Sequence, residues 1–333
     1  MNINKALQYR TQKQKGVALV VVLLVVALVS IIATDLTERL QREIHRSGNI
    51  LDNQQAMFYV LGAEKFAIAI LQEDIKDSPD RDDLDQAWAT KGLYFPIEGG
   101  DMTGLITDAN RCFNLNSLVS ENQEGAYALN DKSIAYTAYQ RLLTLLGLPT
   151  ELTDSLVDWL DSDSQAIGMQ GAEDGDYERL TPSYRAANNL ILDVSELRLI
   201  QGYSDDVVKK LSPYVCALPD AGYFQLNINT LDSDKPELLA MLINDLSIET
   251  AASILAERKQ SGYDDLASFW QLDALAGIEV SSQEKSALTL DSGYYQLKAK
   301  ARIGRGHKNI TTLFKQVDKD KVQIIWRRFG TIE

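Results

Sequence analysis

The stretch that most limits how this chain can fold is residues 16–33, GVALVVVLLVVALVSIIA, an apolar run with one Ser and no charge. Ahead of it stand Lys5, Arg10, Lys13 and Lys15 with no acid, and polarity returns at Asp35. The roughly 17 residues after Gly16 extend about 26 Å as a helix, near the short limit for crossing hydrocarbon. The basic leader predicts a cytoplasmic N-terminus. A secretory signal peptide would have a shorter apolar core and then a small-x-small cleavage site. Here Thr34-Asp35-Leu36-Thr37-Glu38 continues instead into helix-forming sequence. The other reading places a cut before the apolar run, between Gly16 and Val17.

A short basic leader ending in Gly before an uninterrupted apolar helix resembles the type IV prepilins and pseudopilins. One departure narrows the resemblance. Counting from Val17, the fifth residue is Val21, where most members of those families carry Glu. A carboxylate in hydrocarbon is costly unless paired. In those families the Glu is thought to neutralise the terminal amine of the subunit added before, and a subunit with no predecessor has no amine to pair with. An apolar fifth residue therefore resembles the tip subunit, the minor pseudopilin K family of the type II secretion system (general secretion pathway protein K). The Cys112 and Cys216 contexts, Ser183 to Asn188 (SYRAAN) and Ser195 to Ile200 (SELRLI) resemble the same family.

The chain has 333 residues, enough for two or three domains, with 33 Lys and Arg against 47 Asp and Glu. Removing the four leader cations leaves 29 against 47, or −18. That charge disfavours nucleic acid and anionic lipid as partners. The only two cysteines, Cys112 and Cys216, stand 104 residues apart. Outside the cytoplasm a disulfide between them is permitted; the alternative is two separate buried thiols.

Leu36, Leu40, Ile44, Leu51, Phe58, Leu61, Ala67, Ile68 and Leu71 recur at near-helical intervals, and no Pro intervenes before Pro79. Arg39, Arg42, Glu43, Arg46 and Glu64 read as the polar faces. One helix of about 55 residues is thus predicted, starting in the membrane and ending in a folded domain. Leu93 to Ile97 and Gly104 to Ala109 read as short strands around a turn at Glu98 to Asp101. Tyr294 to Ile303, Asn309 to Val317 and Val322 to Phe329 read as an antiparallel meander, with turns at Gly304 to His307 and Asp318 to Lys321. The expected fold class is α+β: a pilin-like long N-terminal helix packed on a small antiparallel sheet, with a large, mostly α-helical domain inserted. The expected organisation is a cleaved leader at 1–16, a membrane or filament-core helix at 17–34, an α+β domain from 35–119 and 291–333, and the insert at 120–290. A weak repeat, Leu142 to Val157 against Leu238 to Leu255 and Asp193 to Leu197 against Asp265 to Phe269, predicts two related lobes in the insert.

The first lobe is longer, and the extra length carries the most unusual composition in the chain. From Asp158 to Glu178 there are seven acids and no Lys or Arg. Clustered carboxylates repel unless a cation offsets them, and hard cations such as Ca²⁺ take six to eight oxygens. Asp161 and Asp163 begin like an EF-hand, but Gln165 and Ala172 break that pattern. An irregular loop with Asp161, Asp163, Glu173, Asp174 and Asp176 as candidate ligands stands beside the plainer reading of a solvated acidic insert. The resemblance implies structural Ca²⁺, because the helical domain of that family binds it.

Asn227 to Thr230, Pro236 to Leu239 and Ala251 to Arg258 resemble helix-hairpin-helix modules. The hairpin Asn244-Asp245-Leu246-Ser247 has no Gly, and residues 225–290 carry 4 basic and 11 acidic side chains, so a phosphate would be repelled. His45 and His307 have no evident catalytic partner, and no hydrolase, zincin or P-loop motif occurs. The sequence therefore predicts no enzyme. The resemblance implies a pseudopilus tip subunit of the bacterial inner membrane, single-pass with a periplasmic C-terminal domain. Its implied partners are other minor pseudopilins, the major pseudopilin filament, the prepilin peptidase and the inner-membrane secretion platform. The rival reading is a membrane-anchored periplasmic calcium-dependent binding module.

Overall fold

A computed structural model describes residues 16–130, 133–168, 170–318 and 321–330. The basic leader therefore lies outside the described residues, as do the middle of the 318–321 turn and the last three residues. The first element is one unbroken helix, α1 (Val17–Asp77), 61 residues long. It is longer than the periodicity suggested, because nothing incompatible with helix occurs before Ser78 and Pro79. Its two halves differ in environment. Val17 to Ile32 is exposed throughout, and further along α1 Leu36, Leu40, Ile44, Leu51 and Phe58 are exposed too. Burial begins only with Ala56, Val60, Ala63, Glu64, Ala67, Leu71 and Ile75, a single stripe spaced three and four residues apart. Glu64 is a correction to the sequence reading. It belongs to this stripe, 3% exposed, and not to a polar face.

The stripe packs on a five-stranded antiparallel sheet ordered β1–β2–β9–β10–β11. Its first hairpin is β1 (Leu93–Ile97) and β2 (Gly100–Asp108). The turn is only Glu98-Gly99, because Gly100 and Asp101 already pair with Ile97 and Pro96. The chain then leaves the sheet and returns as β9 (Tyr294–Ile303), β10 (Gly306–Asp318) and β11 (Lys321–Phe329). In β9 the buried residues Tyr295, Leu297, Ala299, Ala301 and Ile303 alternate with more exposed ones, as a sheet covered on one face requires. At the β9–β10 turn Gly306 lies against the backbone of Asp52 and Asn53, where an added Cβ would fall 2.6 Å from Asn53 N, so only Gly lets this turn reach α1.

Between β2 and β9 the chain builds a second unit. In order it comprises β3 (Phe113–Asn114), the hairpin β4 (Val119–Glu121) and β5 (Tyr127–Leu129), α2 (Ala135–Leu145), α3 (Leu152–Leu160), α4 (Asp174–Tyr177), α5 (Asp205–Leu211) and β6 (Val215–Cys216). Then follow β7 (Leu226–Asn227), α6 (Glu237–Leu242), α7 (Ile248–Glu257), α8 (Leu266–Trp270), α9 (Ser282–Ser286) and β8 (Leu288–Thr289). The helices are short and joined by long loops. The two expected lobes share one core, with Leu142, Leu143, Leu156 and Val157 of the first and Leu238, Leu239, Leu242 and Leu255 of the second in the same cluster. Arg141 on α2 donates to Glu284 on α9 (3.2 Å), and Glu284 also accepts the Asn244 N–H (2.8 Å), so charge as well as apolar contact joins the halves. Phe113, Leu115, Leu118 and Val119 also pack in this helical core, not under the sheet. In the α6–α7 hairpin the position that needs a left-handed residue is taken by Asp245, at φ +61°.

Two buried acids pin the crossing between the units. Asp82 accepts the Tyr295 hydroxyl (2.8 Å) and the Ser292 N–H (2.6 Å), while Asp108 accepts the Thr230 hydroxyl and the Asn110 N–H (2.6 Å). Burial raises both carboxyls above the ordinary aspartate range. Close by, Cys112 and Cys216 are joined in a disulfide, Cα to Cα 5.8 Å, alongside the parallel pairing of β3 with β6.

Candidate metal centre and membrane anchor

The acidic loop starts from α3, whose buried face includes Leu152, Leu156, Val157 and Leu160. Asp158 sits on that face. Its carboxylate accepts the Ile167 N–H at 3.0 Å and so folds the loop back over the helix. Gly171 is required there, since an added Cβ would lie 2.3 Å from Asp158 Oδ2. Asp161 follows the last turn of α3, its N–H bonded to Val157 O at 2.8 Å. Asp163 fixes the next bend by accepting the Gln165 N–H at 2.7 Å. Glu173 precedes α4, with its own N–H given to Asp176 at 3.2 Å. Beside this segment Tyr177 and Tyr184 stack at 5.4 Å between ring centroids, and Trp159 meets them edge-to-face at 5.3 and 6.4 Å.

One oxygen each of Asp161, Asp163 and Glu173 comes together, all within 4.8 Å of one another. Asp161 Oδ1 and both carboxylate oxygens of Glu173 are buried and accept no hydrogen bond among the described residues. Burial, then the charge of Asp163 and Asp158, pushes the Asp161 carboxyl up to about 7. Glu173 rises to about 7 for the same reasons, and Asp158 to about 6. Orphaned buried carboxylate oxygens are costly without a proton or a cation. The donors are all hard oxygens, and Ca²⁺ accepts carboxylates, carbonyls and water at flexible geometry, so the residues fit that ion.

Two of the five candidate ligands are engaged elsewhere. Asp174 accepts the Ala186 N–H (3.1 Å) and lies 3.9 Å from Arg185, and Asp176 pairs with Arg179 at 2.9 Å. The arginines responsible come later in the chain, at positions the acid count did not include. Asp158, left out of the candidate set, stands beside the cluster with its carboxylate committed to the Ile167 N–H, and its charge adds to the rise at Asp161 and Glu173. Its i, i+3 spacing to Asp161 on a helix end was the available signal.

The second functional feature is the first half of α1. Its apolar window is long enough to cross a membrane and none of it is buried. Val21 is 54% exposed, on a surface formed entirely by its apolar neighbours. Gly16 and Val17 mark the start of the described chain, so the geometry of the expected cut falls mostly outside it.

A long apolar helix, free in its first half and seated on an antiparallel sheet in its second, with a helical unit inserted into the sheet connection, defines a pilin-type subunit. Two family profiles described as type II secretion system (T2SS), protein K match residues 111–220 and 226–291. Type II secretion system protein K of Aeromonas hydrophila is 32% identical over 97% of this chain and 99% of its own length. That of Klebsiella pneumoniae is 41% identical over 81% of this chain and 83% of its own. Among solved structures, a chain of the GspK–GspI–GspJ complex from the enterotoxigenic Escherichia coli type 2 secretion system superposes with a TM-score of 0.75. It is 28% identical, across 86% of this chain and all of that one. The chain belongs to the type II secretion system protein K family and is a minor pseudopilin of type II secretion. Its relatives are secretion components, and the rival reading of a free-standing calcium-dependent binding module finds no support in these likenesses.

Proposed function

We propose that the chain is the tip subunit of the pseudopilus, inserted in the inner membrane with its N-terminus in the cytoplasm and its folded units in the periplasm. A prepilin peptidase cuts it between Gly16 and Val17. It then joins other minor pseudopilins, initiates the filament built from the major pseudopilin on the inner-membrane platform, and caps it so that extension drives folded proteins outward. The observation that carries this reading is the bulky unit between β2 and β9 combined with the open apolar stripe of α1. The stripe offers a surface for other stalk helices, whereas the inserted unit would obstruct a subunit stacked above it, so only the tip has room. Val21 agrees, since a top subunit has no preceding amine to neutralise. The partner in the enterotoxigenic E. coli complex supports association with two further minor pseudopilins.

In this reading a structural Ca²⁺ is held by Asp161, Asp163 and Glu173, supported by the three orphaned oxygens described above. The ion offsets carboxylate repulsion and fixes the loop between α3 and α4. N-terminal sequencing of the mature chain should begin at Val17, and gold label on the inserted unit should mark one end of each pseudopilus. Label along the whole filament, or a different first residue, would contradict the assignment.

A further inference from the structure

The edge of the sheet on the β1 side is only partly occupied. Pairing of β1 with β2 stops at Leu93 opposite Gly104, because the chain turns away at Gly92 (φ +73°). Beyond that point β2 continues through Leu105, Ile106, Thr107 and Asp108, about 13 Å at 3.3 Å per residue. The Ala109 N–H donates to Tyr294 O (2.9 Å) and the Gly304 N–H to Gly99 O (3.1 Å), so odd-numbered residues along this segment turn their main chain toward β9. The main chain of Ile106 therefore points the other way, into the gap. Neither its N–H nor its C=O has a hydrogen-bond partner among the described residues. The gap is a cavity of about 620 Å³.

The two walls of this cavity differ. On the face shared with α1 it is apolar, formed by Leu84, Trp88 and Ile106. On the opposite face Leu105 lies across from Lys298 and Thr103 from Lys300, and the exposed Lys91 joins them. These three lysines make no ion pair among the described residues. The lining acids are already committed, Asp108 to the Thr230 hydroxyl and the Asn110 N–H, and Asp232 to Arg111 (2.8 Å) and Lys235 (3.0 Å). Cations without counter-ions around a cavity attract negative charge. The unpaired main chain of Ile106 calls in addition for an extended backbone. An anionic amphiphile would satisfy the lysines but leave that main chain unpaired. A second copy of this edge would set the same lysines against them.

We propose that the vacant part of the β2 edge takes an extended acidic segment of another polypeptide by strand addition. The residue set opposite Ile106 exchanges main-chain hydrogen bonds with it and turns its side chain toward Leu84 and Trp88. The residues on either side turn theirs toward the face of Leu105, Lys298 and Lys300. The preferred ligand is therefore an acid–apolar–acid triplet, in which main-chain pairing supplies affinity and the lysines and apolar wall supply selection. This site stands independently of where the subunit sits in a filament.

The test titrates the full chain, held in phosphatidylcholine nanodiscs, with a fluorescent Glu-Val-Glu-Val-Glu peptide. Saturable binding is expected, together with slowed hydrogen exchange at the Ile106 amide. The same peptide N-methylated at its valines lacks the main-chain donors and should bind on the order of tenfold more weakly. Lys298→Glu with Lys300→Glu should weaken binding of the unmethylated peptide by a similar factor at low salt, with the difference shrinking as salt is raised. The surface control Lys209→Glu with Lys210→Glu should bind as the parent does. The N-methyl comparison uses the parent chain, so it decides the matter even where the charge-reversed chain folds poorly. No binding at millimolar peptide, or equal binding of the N-methylated peptide, overturns the proposal. So does dodecanoate that fills the cavity and is not displaced by the peptide, which assigns the cavity to an amphiphile. Dimerisation that protects the Ile106 amide without peptide overturns it too, by assigning the edge to a second copy.

Discussion

Glu64 is the residue on which the seating of the stalk depends most. Its carboxylate is almost fully buried beneath the sheet, where it accepts the Thr312 hydroxyl (2.9 Å) and Arg327 Nε (2.6 Å) and also pairs with Arg327 Nη2. Glu64→Ala leaves the fully buried Thr312 hydroxyl without this acceptor, a cost of about 1–3 kcal/mol. Breaking a buried ion pair costs about 3–5 kcal/mol when the remaining charge stays dry. Arg327 is about one-third exposed (35%) and can turn toward water, so the lower end of that range applies. The expected loss is about 3 kcal/mol in total, since the two effects overlap. Glu64→Gln retains an acceptor for Thr312 and should cost about half as much. Glu64→Leu combined with Arg327→Met removes both charges and should recover most of the loss, because a buried pair replaced by apolar side chains is often neutral. Urea unfolding of the chain in detergent, followed by hydrogen exchange of residues 56–75, reads this directly. A Glu64→Ala variant within about 0.5 kcal/mol of the parent would refute the reasoning.

Three further outcomes follow from the inserted unit. Melting temperature should rise with Ca²⁺ and fall with chelator, and Asp161→Asn with Glu173→Gln should remove that dependence; a hundredfold excess over Kd corresponds to about 2.7 kcal/mol. In chelator, the raised carboxyls of Asp161 and Glu173 (about 7) and Asp158 (about 6) bind protons in the folded state that the unfolded chain has already released. Their contribution to stability should therefore grow as pH falls from 8 toward 5, and pH-resolved melting that shows this gain only without Ca²⁺ checks it. Cys112→Ser with Cys216→Ser opens a bridge spanning 104 residues and should cost up to about 4.7 kcal/mol in the chain-entropy view, measured by denaturation with and without reductant.

Much of this organisation was legible in the chain itself. Periodicity and the lack of Pro before Pro79 determined α1, and alternation with turn residues determined the meander at the C-terminal end. Those signals are local, so they survive without knowledge of the partner surface. The repeat pointed to related helices, but not to one shared core, because the Arg141 to Glu284 contact joins residues 143 apart. The acid count located the candidate metal loop. It did not tell Asp161, Asp163 and Glu173, which converge, from Asp174 and Asp176, which Arg185 and Arg179 draw away.

The sequence by itself determined where an apolar helix long enough to cross a membrane lies, that it runs on into a folded unit, which stretches are strands, and where negative charge accumulates. These follow from hydrophobic period, turn chemistry and composition, each of which acts over a few residues. Only the tertiary structure decided which face of α1 is covered. Leu51 and Phe58 are more apolar than Ala56 and Ala63, yet the alanines are buried, because they share with Val60, Leu71 and Ile75 the one face of α1 that meets β9 and β10. The same packing buried Glu64, which on a solvated helix is an ordinary surface acid, since Arg327 and Thr312 arrive from strands about 250 residues later to replace the water it gives up.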